Sequence, residues 1–165
     1  MLFKNLGSFV SCQQNHTVMK ASLKFLSALL LFIFSNLISH AGPNDKILGR
    51  WYTTDKGAIV EIYDCAGKLC GKIVWLKEPN NEQGKPKTDI HNPDDKQHNT
   101  PVIGLNMLSG FKNSGDNQWE DGTIYDPKNG KTYSCKMTLN VDNLEVRGYI
   151  GISLFGRTEH WTRAK

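Results

Sequence analysis

Catalytic signatures are scarce in this chain of 165 residues. Gly151-Ile152-Ser153-Leu154-Phe155 comes nearest to a Gly-x-Ser-x-Gly nucleophile elbow and fails at the last position. There is no His-Glu-x-x-His pair, no Walker loop and no Gly-x-Gly-x-x-Gly after a strand. Zincin-type hydrolysis, P-loop phosphate chemistry and dinucleotide binding therefore find no support. Cysteine is sparse, with four residues and no C-x-x-C spacing, so a thioredoxin-type redox motif is absent. No long helical period appears. With 39% hydrophobic and 22% charged residues, the chain is neither wholly disordered nor collagen-like. The length suits one small domain with an appended segment.

One apolar run stands out. Residues 25–38 are uncharged, with Lys20 and Lys24 before them and Ser39-His40-Ala41 after. Small residues at 39 and 41 fit the small-x-small cleavage pattern of a secretory signal, which places the cut after Ala41. At ~1.5 Å per residue the run is too short for a ~30 Å hydrocarbon core. An uncleaved membrane anchor is the competing reading. The basic flank begins at Met19, a plausible initiator. The expected organisation is thus an upstream extension (1–18), a signal peptide (19–41) and one mature domain (42–165).

Removing 1–41 takes Lys4, Lys20 and Lys24 from the 20 basic residues and nothing from the 16 acids. The mature chain is close to neutral, so charge gives no argument for nucleic acid or an anionic membrane as partner. Without a second apolar span, the expected product is exported: periplasmic, or secreted, or anchored if the signal stays.

Export permits disulfides. Cys65 and Cys70 sit between strand-like runs at 58–64 and 71–77. If they face each other across a hairpin, Ile62 faces Ile73 and Val60 faces Trp75. That register puts Val60, Ile62, Ile73 and Trp75 on one face, and both cysteines on the other with Glu61, Tyr63, Lys72 and Val74. Opposed antiparallel residues have a spacing a disulfide can use. In 131–139, alternation puts Tyr133, Cys135, Met137 and Leu139 on the apolar face, which makes Cys135 a buried free thiol.

Strand signals recur at 48–53, 58–64, 69–77, 103–111, 118–125, 131–139, 144–150 and 157–162, with turn chemistry at 55–57, 66–68, 113–116, 126–130 and 141–143. Short links mean antiparallel neighbours. About eight short strands close most naturally into an all-β, antiparallel up-and-down barrel, with an open sandwich as the competitor. The segment 78–100 does not fit a meander. It is polar and Pro-punctuated, with one helical turn expected near 94–98, and in a barrel it would be a lid or rim loop.

Gly49-Arg50-Trp51 opens the first strand and Trp161-Thr162-Arg163 closes the last. This pairing resembles the lipocalin and avidin-like barrels, where the Trp plugs one barrel end and a late Arg packs over its ring. The resemblance implies structural roles for Gly49, Trp51, Trp161 and Arg163. A wider pattern runs through Val60-Glu61-Ile62-Tyr63, Gly71-Lys72-Ile73-Val74-Trp75-Leu76, Lys87-Thr88-Asp89-Ile90, Asn92-Pro93-Asp94, Trp119-Glu120-Asp121-Gly122-Thr123-Ile124-Tyr125-Asp126-Pro127, Gly130-Lys131-Thr132-Tyr133, Arg147-Gly148-Tyr149 and Leu154-Phe155-Gly156-Arg157-Thr158. It resembles the bacterial exported family catalogued as domain of unknown function 2147, over about residues 47–164. The resemblance implies a lipocalin-like barrel in the cell envelope and supplies no activity.

Candidate site residues follow from alternation. Arg157, Glu159, Trp161 and Arg163 share a face of the last strand. If Trp161 points inward, Arg157 and Glu159 do too, and charges inside a small barrel need partners or a ligand. Either Arg157 meets a ligand anion, or the two charges lie at the rim and pair with each other or with solvent. Asp126 caps its turn or presents a rim carboxylate beside Tyr125. Arg147, Tyr149, Asp89 and Asn92 complete the candidate ligand set. Asp89, Asn92 and Asp94 lack the order of a calcium loop, while His91 and His98 are either solvated loop histidines, acid–base groups or a fortuitous zinc pair. No metal or cofactor is called for.

The reading favoured is non-covalent binding of a small or amphipathic, lipid-like ligand by a monomer or weak dimer. A hydrolase-like enzyme using Asp89, Asp126, Arg147 and Arg157 is the second reading. A packed, ligand-free interaction module is the third. A cavity separates the first from the third, since aromatic residues filling the whole interior would leave room for none.

Overall fold

The computed structural model describes Gly42 and residues 44–165; the expected extension and signal segment fall outside the described residues. Eight strands follow in chain order: β1 (Gly49–Tyr52), β2 (Ala58–Asp64), β3 (Leu69–Leu76), β4 (Asn106–Gly115), β5 (Gln118–Asp126), β6 (Lys131–Asn140), β7 (Asn143–Tyr149) and β8 (Gly156–Arg163). Each pairs antiparallel with the next, and β8 returns to β1, so the sheet is a closed up-and-down barrel. The closing seam is short, with Trp51 opposite Arg163 and Tyr52 opposite Thr162. Closure removes the exposed edges an open sandwich would have kept.

Alternation along each strand sends one set of side chains inward. Val60, Ile62, Leu69, Ile73, Leu108, Phe111, Cys135, Met137, Leu139, Leu144, Val146 and Trp161 form one buried cluster with Ile47, Trp51 and Trp119. Cys135 is buried and free, as alternation indicates, and burial, with Glu159 nearby, pushes its thiol pKa up to about 12. The outer face is polar. Glu61 there meets both Arg50 and Lys72, each at 3.3 Å, and the Lys72 contact in particular lowers its pKa.

Cys65 and Cys70 are bridged, with their Cα atoms 5.8 Å apart. The surrounding register differs from expectation by two residues. Tyr63, not Cys65, opposes Cys70, and Val60 opposes Ile73. Cys65 belongs to the turn, where its N–H reaches the Lys68 carbonyl at 2.7 Å and Asp64 accepts the Gly67 N–H at 2.9 Å. The disulfide thus spans a turn residue and a strand residue. A register shift between Ile59 and Val60 leaves Val74 unpaired and sets Trp75 opposite Ile59. The bulge reverses the face beyond it. Trp75, expected on the same face as Val60, Ile62 and Ile73, is instead 41% exposed and packs edge-on against Tyr52 on the outer surface, their ring centroids 6.3 Å apart.

Two further boundaries moved. β4 begins at Asn106, not 103, and runs on to Gly115, so the β4–β5 turn is Asp116-Asn117 and not 113–116. Asn117 takes the positive φ of 59° that the tight turn requires. The segment between β3 and β4 is tied down along its length. Asn80 bridges Pro86 and Thr88 bridges Pro101, and a short 3-10 turn (Asp95–Gln97) is capped by Asp94.

Candidate functional site

The barrel has two unlike ends. At one end Trp51, Phe111, Trp119 and Trp161 are all fully buried. Segment 44–48 crosses that end. The Trp51 indole N–H donates to the Ile47 carbonyl at 2.8 Å, and that of Trp119 donates to Asn44 Oδ1 at 2.7 Å. The Arg163 guanidinium lies 4.1 Å from the centre of the Trp51 ring and donates to the carbonyls of Lys46 and Leu48. Gly49 sits between them at φ 113°, where a Cβ would come 3.3 Å from Arg163 Nη1. A stacked cation, two carbonyls and a glycine hinge together close this end.

The other end holds a cavity of about 1150 Å³. Ile73, Val102, Met107, Ile124 and Val146 supply apolar wall, and none of the four large buried aromatics reaches it. The volume is ample for a small ligand. Around the mouth stand the β1–β2 turn, the β3–β4 segment, the β5–β6 turn and the β7–β8 loop. Their charged residues have both signs: Lys77, Lys87, Lys128 and Arg157 against Asp55, Glu78 and Asp126.

Strand β8 delivers a graded column of side chains into this space. Trp161 is fully buried, Glu159 is half-buried and Arg157 is exposed. Glu159 and Arg157 both line the cavity. The two are not ion-paired: Glu159 Oε2 accepts the Trp161 indole N–H at 3.1 Å. Tyr149, Tyr133 and Asp126 also line the cavity. Asp126 caps its turn at the same time, accepting from the Lys128 N–H at 2.9 Å and the Asn129 side chain at 2.9 Å.

Arg147, Tyr125, Asp89 and Asn92 fall elsewhere, which corrects their placement in the ligand set. Val146 faces inward, so Arg147 beside it faces outward. Its guanidinium donates to Ser153 O at 2.8 Å, Thr158 Oγ1 at 2.8 Å and Leu154 O at 3.2 Å. Arg147 is a clamp on the β7–β8 loop. The loop it holds presents Ile150, Ile152, Leu154 and Phe155 to solvent. Two of them, Ile150 and Phe155, reach round to the cavity mouth.

Tyr125 is outward for the same reason, next to the inward Ile124. Its hydroxyl meets both oxygens of Asp89 at 2.9 Å. Asn92 Nδ2 donates to Asp89 Oδ2 at 2.7 Å. Asp89 is the one fully buried charged residue among those described. Burial, then the bond to Asp89, pushes the Tyr125 pKa up to about 12. These three residues latch the β3–β4 segment to β5. Gly130 extends the latch. It sits at φ 69°, and a Cβ there would overlap the His91 carbonyl. With the latch shut, Thr88, Ile90 and His91 form part of the cavity wall. His98 is occupied within its own loop, its Nε2 2.8 Å from the Asn92 carbonyl and 3.4 Å from Asp95. The four residues of the hydrolase reading are therefore dispersed. Asp126 and Arg157 share the cavity, while Asp89 and Arg147 do not line it.

Residues 49–163 match the family described as an uncharacterized protein conserved in bacteria, DUF2147. The chain belongs to the DUF2147 family. Among solved structures it is similar to HP1028 of the human pathogen Helicobacter pylori, which is described as belonging to the lipocalin family. The TM-score is 0.64 at 24% identity, covering 72% of this chain and 82% of that one. The likeness supports the same barrel fold. No curated protein matches the chain. The DUF2147 match spans both ends of the barrel, from Gly49 beside the Trp51–Arg163 plug to β8 with Arg157 and Glu159. Sequence reasoning missed Ile90, His91 and Val102 as cavity lining. Ile90 is the one large apolar residue in the polar stretch 78–100, and that was the available signal.

Proposed function

We propose that this DUF2147 protein binds a small, largely apolar or amphipathic ligand non-covalently, in the cavity at the open end of its barrel. One observation carries the reading: the interior is packed with aromatic side chains at one end and left open, with apolar walls, at the other. A ligand-free packed module would have no reason to keep that space. Eight-stranded barrels can hold one such ligand. Among the described residues no cluster of His, Cys, Asp and Glu gathers to hold a metal, so side chains and shape would carry recognition. Export to the cell envelope belongs to the same proposal. The Cys65–Cys70 disulfide suits an oxidising compartment. No helix among the described residues is long and apolar enough to cross a membrane.

Native mass spectrometry of protein purified from its own host tests the binding. Extra mass that is released on denaturation is expected. A single unliganded mass, together with failure of apolar dyes to bind, would overturn the proposal.

A further inference from the structure

The ligand's chemistry can be narrowed, on the footing that the cavity binds one. Glu159 is a half-buried charged group of the cavity, nearer the packed end of β8 than Arg157 is. It lies one inward step from Trp161, which is fully buried, and one inward step from Arg157 at the mouth. Its Oε2 accepts the Trp161 indole N–H at 3.1 Å. Among the described residues nothing donates to Oε1, and neither Arg157 nor any lysine forms an ion pair with this carboxylate. Its neighbours toward β7 and β6 are apolar, while Thr53, Thr54 and Asp55 line the cavity on the β1 side. Val146 is its cross-strand partner, and Cys135 and Met137 are buried nearby on β6.

A purely hydrocarbon ligand end pushed against that carboxylate would strip its water and return nothing, which is costly. A hydrogen-bond donor would offset the loss, and a cationic donor more so. The mouth is different, since Arg157 and Lys128 are exposed there and can meet an anion in water. A fatty acid entering tail first would be matched at the mouth and mismatched at the floor. We propose that the cavity selects ligands whose inserted end carries an amine or comparable hydrogen-bond donor, with Glu159 as the recognising group.

The test uses three probes of equal chain length, octylamine, octanoate and octanol, each displacing an apolar fluorescent dye from the purified protein. The Trp161 indole N–H resonance is followed in parallel. Octylamine should bind about tenfold or more tighter than octanoate or octanol and shift the Trp161 resonance. Glu159→Gln keeps an acceptor for Trp161 and should erase that preference, read as the ratio of octylamine to octanol affinity within the variant. Glu159→Leu should turn the order round in favour of octanol and octanoate. If dye binds but octylamine shows no preference, or the preference survives Glu159→Gln, the inference is wrong while the cavity proposal stands. If wild-type protein binds neither dye nor any probe, the cavity proposal falls and this inference falls with it.

Discussion

The two ends of this barrel use similar ingredients for opposite purposes. At the closed end an arginine, Arg163, sits over a buried indole and bonds to two carbonyls of the crossing segment. At the open end Arg157, on the same face of the same strand, stands exposed at the mouth of a cavity. The difference lies in what the rest of the ring supplies. Trp51, Phe111, Trp119 and Trp161 fill the closed half. The open half offers Ile73, Met107, Ile124 and Val146, which are too small to meet across it. Packing density therefore falls along the barrel axis. Stability should be concentrated at one end and ligand response at the other. A third arginine, Arg147, spends its hydrogen bonds on the outside of the open end and keeps an apolar loop in place.

Substitutions can break that contrast. Trp51→Ala should have the largest effect, about 3–5 kcal/mol of destabilisation in chemical unfolding, because it empties a fully buried indole site. Whatever fraction stays folded should keep its dye affinity.

Tyr125→Phe comes next. It takes one donor from the buried Asp89 and should cost about 1–3 kcal/mol. It should also weaken ligand binding, since the latched segment forms cavity wall. The alkaline side is diagnostic. Folded Tyr125 titrates at about 12, above the ordinary value of about 10. Its contribution is complete below about pH 10 and is lost as pH rises through about 12. Unfolding free energies measured from pH 9 to 12 should fall less steeply in Tyr125→Phe than in wild type. Equal slopes would show that the hydroxyl is not held as described.

Replacing both Cys65 and Cys70 by Ser should cost about 2 kcal/mol, because the closed loop is short. This change is remote from the cavity and should leave binding alone. Thiol labelling of unfolded, unreduced protein should modify Cys135 and neither bridged cysteine.

The smallest effect is expected for Arg163→Ala, about 0.5–2 kcal/mol from the lost ring contact and carbonyl bonds. A double-mutant cycle with Trp51→Ala should be clearly non-additive. Full additivity would mean that plug and arginine do not cooperate.

How much of this was legible in the sequence depended on whether a feature is local. Strand alternation and turn residues are local, so the eight strands, the inward set around Cys135 and the capping role open to Asp126 could be read directly. The bulge at Val74 is not local. It depends on how β2 and β3 fit round the closed ring, so Trp75 was assigned to the wrong face. Arg147 shows the same limit differently. It was put in the ligand set without reference to its face of β7, and in the structure it points away from Val146 to hold the β7–β8 loop. Asp89 and Asn92 were picked out as oxygen-rich, and so they are. Their partner, Tyr125, lies 36 residues from Asp89, a separation no spacing rule spans. The cavity itself was invisible, because empty space is a property of the assembled ring and of no single segment.

The claim that one half is packed and the other open to ligand is tested most directly by filling the open half. Ile124 lines the cavity and is only partly buried, so Ile124→Trp should place an indole in free space with little loss of stability. Titration with an apolar fluorescent dye should give one site per chain in wild type and at least about a tenfold weaker site in Ile124→Trp. Equal dye affinity and stoichiometry in the two proteins would contradict the account.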